Sequence, residues 1–387
     1  MRQSIILGGL LVVALGLQSA RGDDDAVGEP IDADSRAEVL GFLSKQISEN
    51  YQRLKTWSGE FTWKGTTMFS IPPALQNEAD DGLIAEMQIN QAVVSVHRDF
   101  EFDRLRSDWK QSGPAERYHL NPKVGTRVNK GGNAKLYEYR YIVSPECLLS
   151  FSPTENIGQL KDWPEVDGVG PLGGRIAYRK PSRAVVDERE FGKFVDPRDL
   201  FGARDRLFFD FCELYRSALE GERTAREKTA AERNMHIRRF ADGASTKYVC
   251  TVDYPNASGG LLLRTETVFA ADAGYNVTSW RQIGPDDKVE YVRKFEFRTI
   301  DEIIVPSRMT YEQFGKSEQL AGMPAKRIEL VLKSVELNKE LDGDRFNMTD
   351  LGLKYGDRLL DELSKQLLVK DGKRFVRAID FVFEAPD

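Results

Sequence analysis

Near the start of this chain the spacing of the hydrophobic positions changes from a helical period to alternation. Between Ser35 and Leu54 the apolar side chains recur with the spacing of one helix face, which predicts an amphipathic helix. These apolar positions are Val39, Leu40, Leu43, Ile47, Tyr51 and Leu54. Ser35 stands three residues before Glu38, a spacing that predicts a capping box at the start of the helix.

Most segments after this helix alternate apolar and polar residues, as half-buried strands do. The segment 94–103 predicts one strand with two unlike faces. Its apolar face consists of Val94, Val96, Phe100 and Phe102, and its polar face of His97, Asp99, Glu101 and Asp103. The segment 136–142 predicts another strand, with Tyr137, Tyr139 and Tyr141 on one side.

The C-terminal half predicts a meander of antiparallel strands. The predicted strands are 235–240, 246–254, 261–269, 275–283, 289–299, 303–313 and 326–337. Turn-forming pairs such as Asp242-Gly243 and Pro255-Asn256 separate them. Helices and strands do not alternate along the chain, which argues against a doubly wound nucleotide-binding fold.

The middle of the chain interrupts the alternation and predicts an insertion over 153–233. Residues 153–181 are rich in glycine and proline and predict a long loop, whereas 203–220 carry the apolar stripe of a helix. Residues 220–233 are dense in charge and predict a solvated continuation of that helix. An insertion of this length is expected to have structure of its own, as a lid or as a second subdomain.

The N-terminus predicts export. Arg2 precedes an apolar run over 5–17, and Ala20-Arg21-Gly22 fits a cleavage site, so residues 1–22 are predicted to be a cleavable signal peptide. An uncleaved anchor is the alternative. Residues 23–34 then form an acidic tether, and 35–387 form the folded domain. Because no cysteine follows the apolar run, no lipid-modified N-terminus is expected, and the protein is predicted to be periplasmic or secreted.

Composition narrows the function classes. The chain has 387 residues, 41% of them hydrophobic, and a formal net charge of −6. This excludes a largely disordered chain, and the acidic balance argues against nucleic acid as a partner. Export permits one disulfide among Cys147, Cys212 and Cys250, and buried reduced cysteines are the alternative.

Motifs of catalysis and metal binding are absent from the sequence. His97, His119 and His236 lack ligand spacing, and no G-x-S-x-G segment occurs. The glycine-rich segment 168–175 is interrupted by proline and lacks a following Gly-Lys-Ser/Thr. The sequence therefore predicts no enzyme, no metal site and no cofactor. An enzyme is kept as a third possible function, after the two binding functions given below.

Several segments resemble the LolA/LolB lipoprotein-carrier superfamily. Ile300–Ser307 is similar to its strand, turn and strand ending at proline, and Leu332–Asn338 to its last long strand. Leu341 to Asp357 is similar to the closing segment, with Tyr355 where the carriers usually have proline. Leu54–Phe61 fits the first helix-to-strand junction, and Phe194–Arg198 resembles an Asp-Pro-Arg pattern of large exported members from planctomycete-type bacteria. The mature chain is about twice as long as a typical carrier.

This resemblance implies a fold and a function. The fold is α+β: a strongly curved antiparallel sheet forming a half-open β-barrel, with an N-terminal helix and inserted helices. The function is an exported binding protein that shelters a lipid or a lipidated protein in an apolar cavity. Its candidate lining comprises the apolar faces Val94, Val96, Phe100, Phe102, Tyr137, Tyr139 and Tyr141. The alternative is an exported interaction or structural module with the same fold and a filled core. Peripheral contact with a membrane and the oligomeric state stay open.

Overall fold

The structure, a computed structural model, is described for part of the chain. The described ranges are 28–70, 85–121, 125–129, 136–145, 148–152, 175–179, 197–198, 208–242, 245–315, 322–347, 353, 357–361, 364–371, 374–377 and 380. The predicted signal peptide, Cys147, the segment 168–174 and residues 194–196 lie outside these ranges.

Nineteen strands and three helices make up the described fold. The strands before the insertion are β1 (Glu29–Pro30), β2 (Thr56–Ser70), β3 (Ala85–Asp99), β4 (Arg104–Gln111), β5 (Glu116–Asn121), β6 (Gly125–Asn129), β7 (Glu138–Val143) and β8 (Leu148–Ser152). The middle contains β9 (Arg175–Arg179) and the helices α2 (Phe208–Leu219) and α3 (Ala225–Asn234), while α1 (Arg36–Gln52) precedes β2. The later strands are β10 (Met235–Asp242), β11 (Ser245–Pro255), β12 (Leu261–Ala270), β13 (Val277–Ile283), β14 (Val289–Ile300), β15 (Ile303–Phe314), β16 (Pro324–Leu337), β17 (Arg358–Asp361), β18 (Gln366–Asp371) and β19 (Arg374–Arg377).

One large, strongly curved and unclosed sheet contains all of these strands. Strands β10 to β16 form an antiparallel meander in chain order, and β16 then pairs with β2. From β2 the sheet continues through β3, β4, β7, β8 and β9, with β5 and β6 beside the far half of β3. The predicted α+β fold class and the predicted C-terminal meander are confirmed.

Local sequence explains the tight connection between β14 and β15. Ile300 and Ile303 are paired, so Asp301 and Glu302 form a two-residue hairpin loop. Both loop residues have positive φ, 47° and 62°, as a type I′ turn requires. The segment 300–307, which carried the family resemblance, thus forms the predicted strand, turn and strand.

Helix α1 confirms the predicted amphipathic helix and corrects its start. A 3-10 turn over Ala33–Ser35 leads into the helix, and Ser35 already has helical angles. Its side chain makes no capping hydrogen bond, so the predicted capping box is wrong. A capping serine needs an extended backbone to reach the N–H groups of the first turn, and Ser35 lacks it.

The residues just before α1 contact the sheet. Glu29 and Pro30, near the end of the predicted tether, pair with Arg239 and Arg238 at the edge of β10. The Ile31 N–H donates to the Ile237 carbonyl at 2.9 Å. The domain boundaries themselves stay predictions.

The insertion differs from its prediction in two places. Residues 220–233 do not continue α2, because Gly221 has φ of +78° and Thr224 begins α3 with a complete capping box to Glu227. The predicted loop 153–181 also contains a strand, β9, which pairs in parallel with β17. The alternating run Arg175–Arg179 is short, and its partner lies far along the chain, so local pattern alone did not reveal it.

Candidate binding face

The concave face of the sheet is the candidate site, because α1 and α2 pack against it. Cross-strand partners share a face, so the register assigns the inward residues. In β2 and β3 they include Phe61 and Trp63, opposite Val94 and Ala92. The main hydrophobic cluster joins these residues to Leu40, Leu43 and Ile47 of α1.

Three of the predicted lining residues lie inside this cluster. Val94 and Val96 have no solvent exposure, and Tyr141 is also buried. Their burial follows from the position of β2 and β3 at the centre of the sheet, between β16 and β4. Val94 and Val96 therefore share one buried face of β3, as predicted. Their role in ligand binding stays a prediction.

The strand prediction through 103 is wrong, and Phe102 does not continue that face, whereas Phe100 still packs against the main hydrophobic cluster. β3 ends at Asp99, whose Oδ1 accepts hydrogen bonds from the N–H groups of Glu101 and Phe102 at 3.1 Å each. Such aspartate side chains compete with a strand by stabilising a turn. Phe102 is consequently 60% exposed.

Arginines cover both of these phenylalanine rings. The Cζ atoms of Arg98 and Arg198 lie 5.4 and 5.2 Å from the centroid of Phe100. Arg104 lies 4.9 Å from the centroid of Phe102. The rings therefore make cation–π contacts in a charged turn. That Phe100 and Phe102 line an apolar cavity stays a prediction.

An aromatic path crosses the concave face from the edge of β7 to β2. The rings of Tyr137 and Tyr139 stack with centroids 6.4 Å apart, and Trp109 of β4 follows at 5.6 Å from Tyr139. Trp63 lies edge-on to Trp109 at 5.4 Å. Tyr137 is 44% exposed and Trp109 only 4%, so the path leads from solvent into the core.

The sequence analysis identified the tyrosines of this path and missed both tryptophans. Trp57, Gly59, Phe61 and Trp63 alternate along β2, so a period-two pattern did mark Trp63 as inward-facing. Gly65 makes room for its ring, because a Cβ at that position would lie 2.2 Å from the Trp63 Cη2 atom. Pairing of β4 with both β3 and β7 brings Trp109 between Trp63 and Tyr139.

The helix layer meets the sheet through buried thiols and aromatic rings. Cys212 of α2 and Cys250 of β11 are both free and buried, which favours the reduced alternative for these two cysteines. Burial raises the pKa of the Cys212 thiol, and the nearby Cys250 raises it further. Burial likewise raises the pKa of Cys250. Beside them, the rings of Phe211 and Phe269 lie 6.0 Å apart.

The described residues also bear on metal binding and on membrane crossing. Among these residues, no group of three or more His, Cys, Asp and Glu side chains is arranged to hold a metal ion. None of the helices within the described ranges is both long enough and apolar enough to cross a membrane.

Comparison with solved structures gives likenesses of fold at low sequence identity. A LolA superfamily protein from Nitrosomonas europaea shares 9% identity, with a TM-score of 0.36, over 80% of this chain and 98% of that chain. A DUF1329 family protein from Desulfovibrio piger shares 7% identity, with a TM-score of 0.35, over 81% and 98%. A domain assigned to outer membrane lipoprotein sorting, from Vibrio parahaemolyticus, shares 9% identity, with a TM-score of 0.31, over 81% and 99%.

A LolA superfamily protein is thus among the solved structures to which this chain is similar, in keeping with the predicted resemblance to the LolA/LolB superfamily. No protein-family model matches the sequence, and no curated protein matches it.

Proposed function

We propose that this protein is an exported carrier that shelters an acyl chain, from a lipid or a lipidated protein, against the concave face of its sheet. The aromatic path is the observation that carries the proposal, because it passes from exposed Tyr137 to buried Trp109. Along such a path an acyl chain leaves water in steps. Each buried CH₂ contributes about 0.8 kcal/mol, so one chain supplies several kcal/mol of affinity.

Helix α1 is the cover of this proposed site. Val94 and Val96 are fully buried in the cluster that contains Leu40, Leu43 and Ile47. A chain that passes beyond Trp63 therefore displaces part of the helix layer. The last turn of α1 stays in place during this displacement, because the Asn50 side chain exchanges two hydrogen bonds with the backbone of Ile304. In this proposal the protein acts by binding and release, without a catalytic residue.

A filled interaction module is the second candidate. The full burial of Val94 and Val96 favours it, since a close-packed interior needs no ligand to satisfy it. In that case the same fold presents its outer surface to a protein partner. Both candidates share export to the periplasm or the extracellular space, as the N-terminal sequence predicts.

Binding of a fluorescent fatty acid, 11-(dansylamino)undecanoic acid, tests the proposal. We expect the wild-type protein to enhance the dansyl emission with saturable, stoichiometric binding. The double variant Tyr137→Asp/Tyr139→Asp should weaken this binding at least about tenfold, because two carboxylates in the path oppose an apolar chain. Native mass spectrometry of protein purified from its own envelope should also reveal a lipid that solvent extraction removes.

The matched control is Leu262→Asp. Leu262 of β12 is 54% exposed, and it lies at a β-bulge between Leu261 and Leu263, far along the sheet from Tyr137. This control should bind the probe as the wild type does, and circular dichroism should show the same folded state for all three proteins at the temperature of the assay. If the wild type neither binds the probe nor carries an extractable lipid, the carrier function is wrong and the filled module takes its place.

A further inference from the structure

A single row of side chains crosses the concave face of the meander at right angles to its strands. Thr267 of β12 stands directly opposite Trp280 of β13, Trp280 opposite Arg293 of β14, and Arg293 opposite Tyr311 of β15. Directly opposite residues lie on the same face of a sheet. Arg293 therefore lies on the same side as the main hydrophobic cluster, between two aromatic rings.

The guanidinium of Arg293 is held by these rings. Its Cζ atom lies 4.8 Å from the ring centroid of Trp280 and 5.9 Å from that of Tyr311. The rings of Tyr311 and Tyr291 are stacked in turn, with centroids 6.3 Å apart. Ring faces fix the plane of a guanidinium while its N–H groups point outward at the edges. A planar fork of this kind matches a carboxylate or a phosphate in two-point geometry.

Polar side chains as well as aromatic rings lie around Arg293 on the concave face. Thr267 has no solvent exposure, and its Oγ1 makes no hydrogen bond to any partner in the part of the chain that the structure describes. A buried hydroxyl without a partner costs free energy, which a hydrogen bond to a ligand atom would recover. The adjoining row adds Thr265, Gln282 and Tyr291, which are also directly opposite one another.

The charged residues that alternate with this row lie on the other side of the sheet. Glu266 and Arg281 are directly opposite each other, one position from Thr267 and Trp280, and they form an ion pair there. Lys294, the neighbour of Arg293 in β14, is exposed on that same side. The alternation of β12 to β14 thus places the positive charge of Arg293 inside the curve.

An apolar row connects Arg293 with the aromatic path. Phe295, two residues further along β14, is opposite Met309 of β15, and Met309 is opposite Leu330 of β16. Leu330 is in turn opposite Trp63 of β2. Successive rows on one face lie about 7 Å apart, so a polar group at Arg293 is within reach of an acyl chain on this apolar row.

We propose that Arg293 and the hydroxyl of Thr267 bind the anionic group of the ligand whose acyl chain occupies the concave face. The ligand is then an acyl amphiphile with a carboxylate or a phosphate, as in a fatty acid or an anionic phospholipid. This inference rests on the proposed carrier function and adds the recognition of the polar end.

Displacement of the dansyl probe by amphiphiles of equal chain length tests the inference. The competitors are palmitic acid, hexadecanol, and the palmitoyl forms of lysophosphatidic acid and lysophosphatidylcholine. We expect the wild type to prefer the acid over the alcohol, or the lysophosphatidic acid over the choline lipid, by about tenfold or more. A preference confined to the carboxylate identifies a fatty acid, and one confined to the phosphate identifies a phospholipid.

Variants assign the preference to Arg293. Arg293→Gln should abolish it while leaving the affinity for hexadecanol within about twofold, and Arg293→Lys should retain part of it. Lys294→Gln, on the outer side of the same strand, is the matched control and should bind as the wild type does. Thr267→Val, which keeps the shape of the side chain, should lower the preference several-fold and serves if Arg293→Gln does not fold.

The outcomes separate the two proposals. Equal affinity of the wild type for charged and neutral competitors, or an unchanged preference in folded Arg293→Gln, would overturn the role of Arg293 and leave the carrier function standing. Absence of binding for every competitor and for the probe would instead refute the carrier function itself.

Discussion

Asn50 and Ile304 exchange two hydrogen bonds across 254 residues of sequence. The Asn50 Nδ2 donates to the carbonyl of Ile304 at 2.7 Å, and the Ile304 N–H donates to the Asn50 Oδ1 at 2.8 Å. Asn50 is one of the few polar side chains buried in the described core, and this pairing satisfies both ends of its amide. The last turn of α1 is thereby fixed to the start of β15.

Removal of this amide should destabilise the fold. We expect Asn50→Ala to lower the free energy of unfolding by about 1–3 kcal/mol, because it deletes two hydrogen bonds in a buried place. Urea denaturation measures the change. Gln52→Ala is the control, since Gln52 is exposed in the same helical turn. Equal losses in the two variants would mean that the pairing does not hold the helix end.

A methyl group at Gly65 should disturb the aromatic path. In Gly65→Ala the new Cβ would meet the Trp63 ring at 2.2 Å, and the ring has to move. We expect a loss of about 1–3 kcal/mol in the free energy of unfolding, as for other overpacked sites, together with a changed tryptophan emission. Gly113→Ala is the control, because a Cβ there would meet no heavy atom of the described residues within 4 Å, apart from its own neighbours in the chain. An unchanged emission spectrum in Gly65→Ala would contradict the close contact with Trp63.

The buried thiols should make stability fall at alkaline pH. Burial raises the pKa of Cys250 in the folded state, while an unfolded chain ionises it near the ordinary value of 9.0. Below that pH both states hold the proton. Above it only the unfolded state releases the proton, so folding stability is lost as the pH rises, by at most about 1.4 kcal/mol per pH unit for one thiol.

Unfolding of Cys147→Ser and of Cys147→Ser/Cys250→Ala at pH 8 and pH 10.5 checks this expectation. Cysteine 147 is replaced in both proteins so that it does not contribute to the difference. The variant without Cys250 should lose less stability between the two pH values. An identical loss in both proteins would show that the thiol ionises as easily in the folded state as in the unfolded one.

Local periodicity accounts for the elements that the sequence predicted well. The predicted strands 246–254 and 303–313 correspond to β11 and β15 almost residue for residue, because alternation and turn residues are both local signals. The helix α1 was predicted for the same reason, from the spacing of Leu40, Leu43 and Ile47. The errors at Phe100 and Thr224 arose where local side-chain hydrogen bonds interrupted an otherwise continuous pattern. Asp99 accepts from two backbone N–H groups after β3, and Thr224 forms a capping box with Glu227.

The family resemblance also has a physical basis in Asn338. Its Oδ1 accepts from the Lys55 N–H at 2.7 Å, and its Nδ2 donates to the Arg53 carbonyl at 2.9 Å. The end of the last long strand therefore holds the junction between α1 and β2. The sequence contained both segments, and only the fold brought them together.

The sequence by itself determined the class of the protein: one helix followed by strands whose apolar residues share a face. It did so because side-chain direction in a helix or strand depends on near neighbours along the chain. Only the tertiary structure decided which apolar faces are buried in the core and which charged side chain lies on the concave face of the sheet. The pairing of β16 with β2 buried Phe61 and Val94. The register of β12 to β15 placed Arg293 between Trp280 and Tyr311. The first arrangement joins strands that are far apart in the chain, and the second depends on the registers of two successive hairpins, each of which is shifted by a β-bulge, so no single local pattern specifies either.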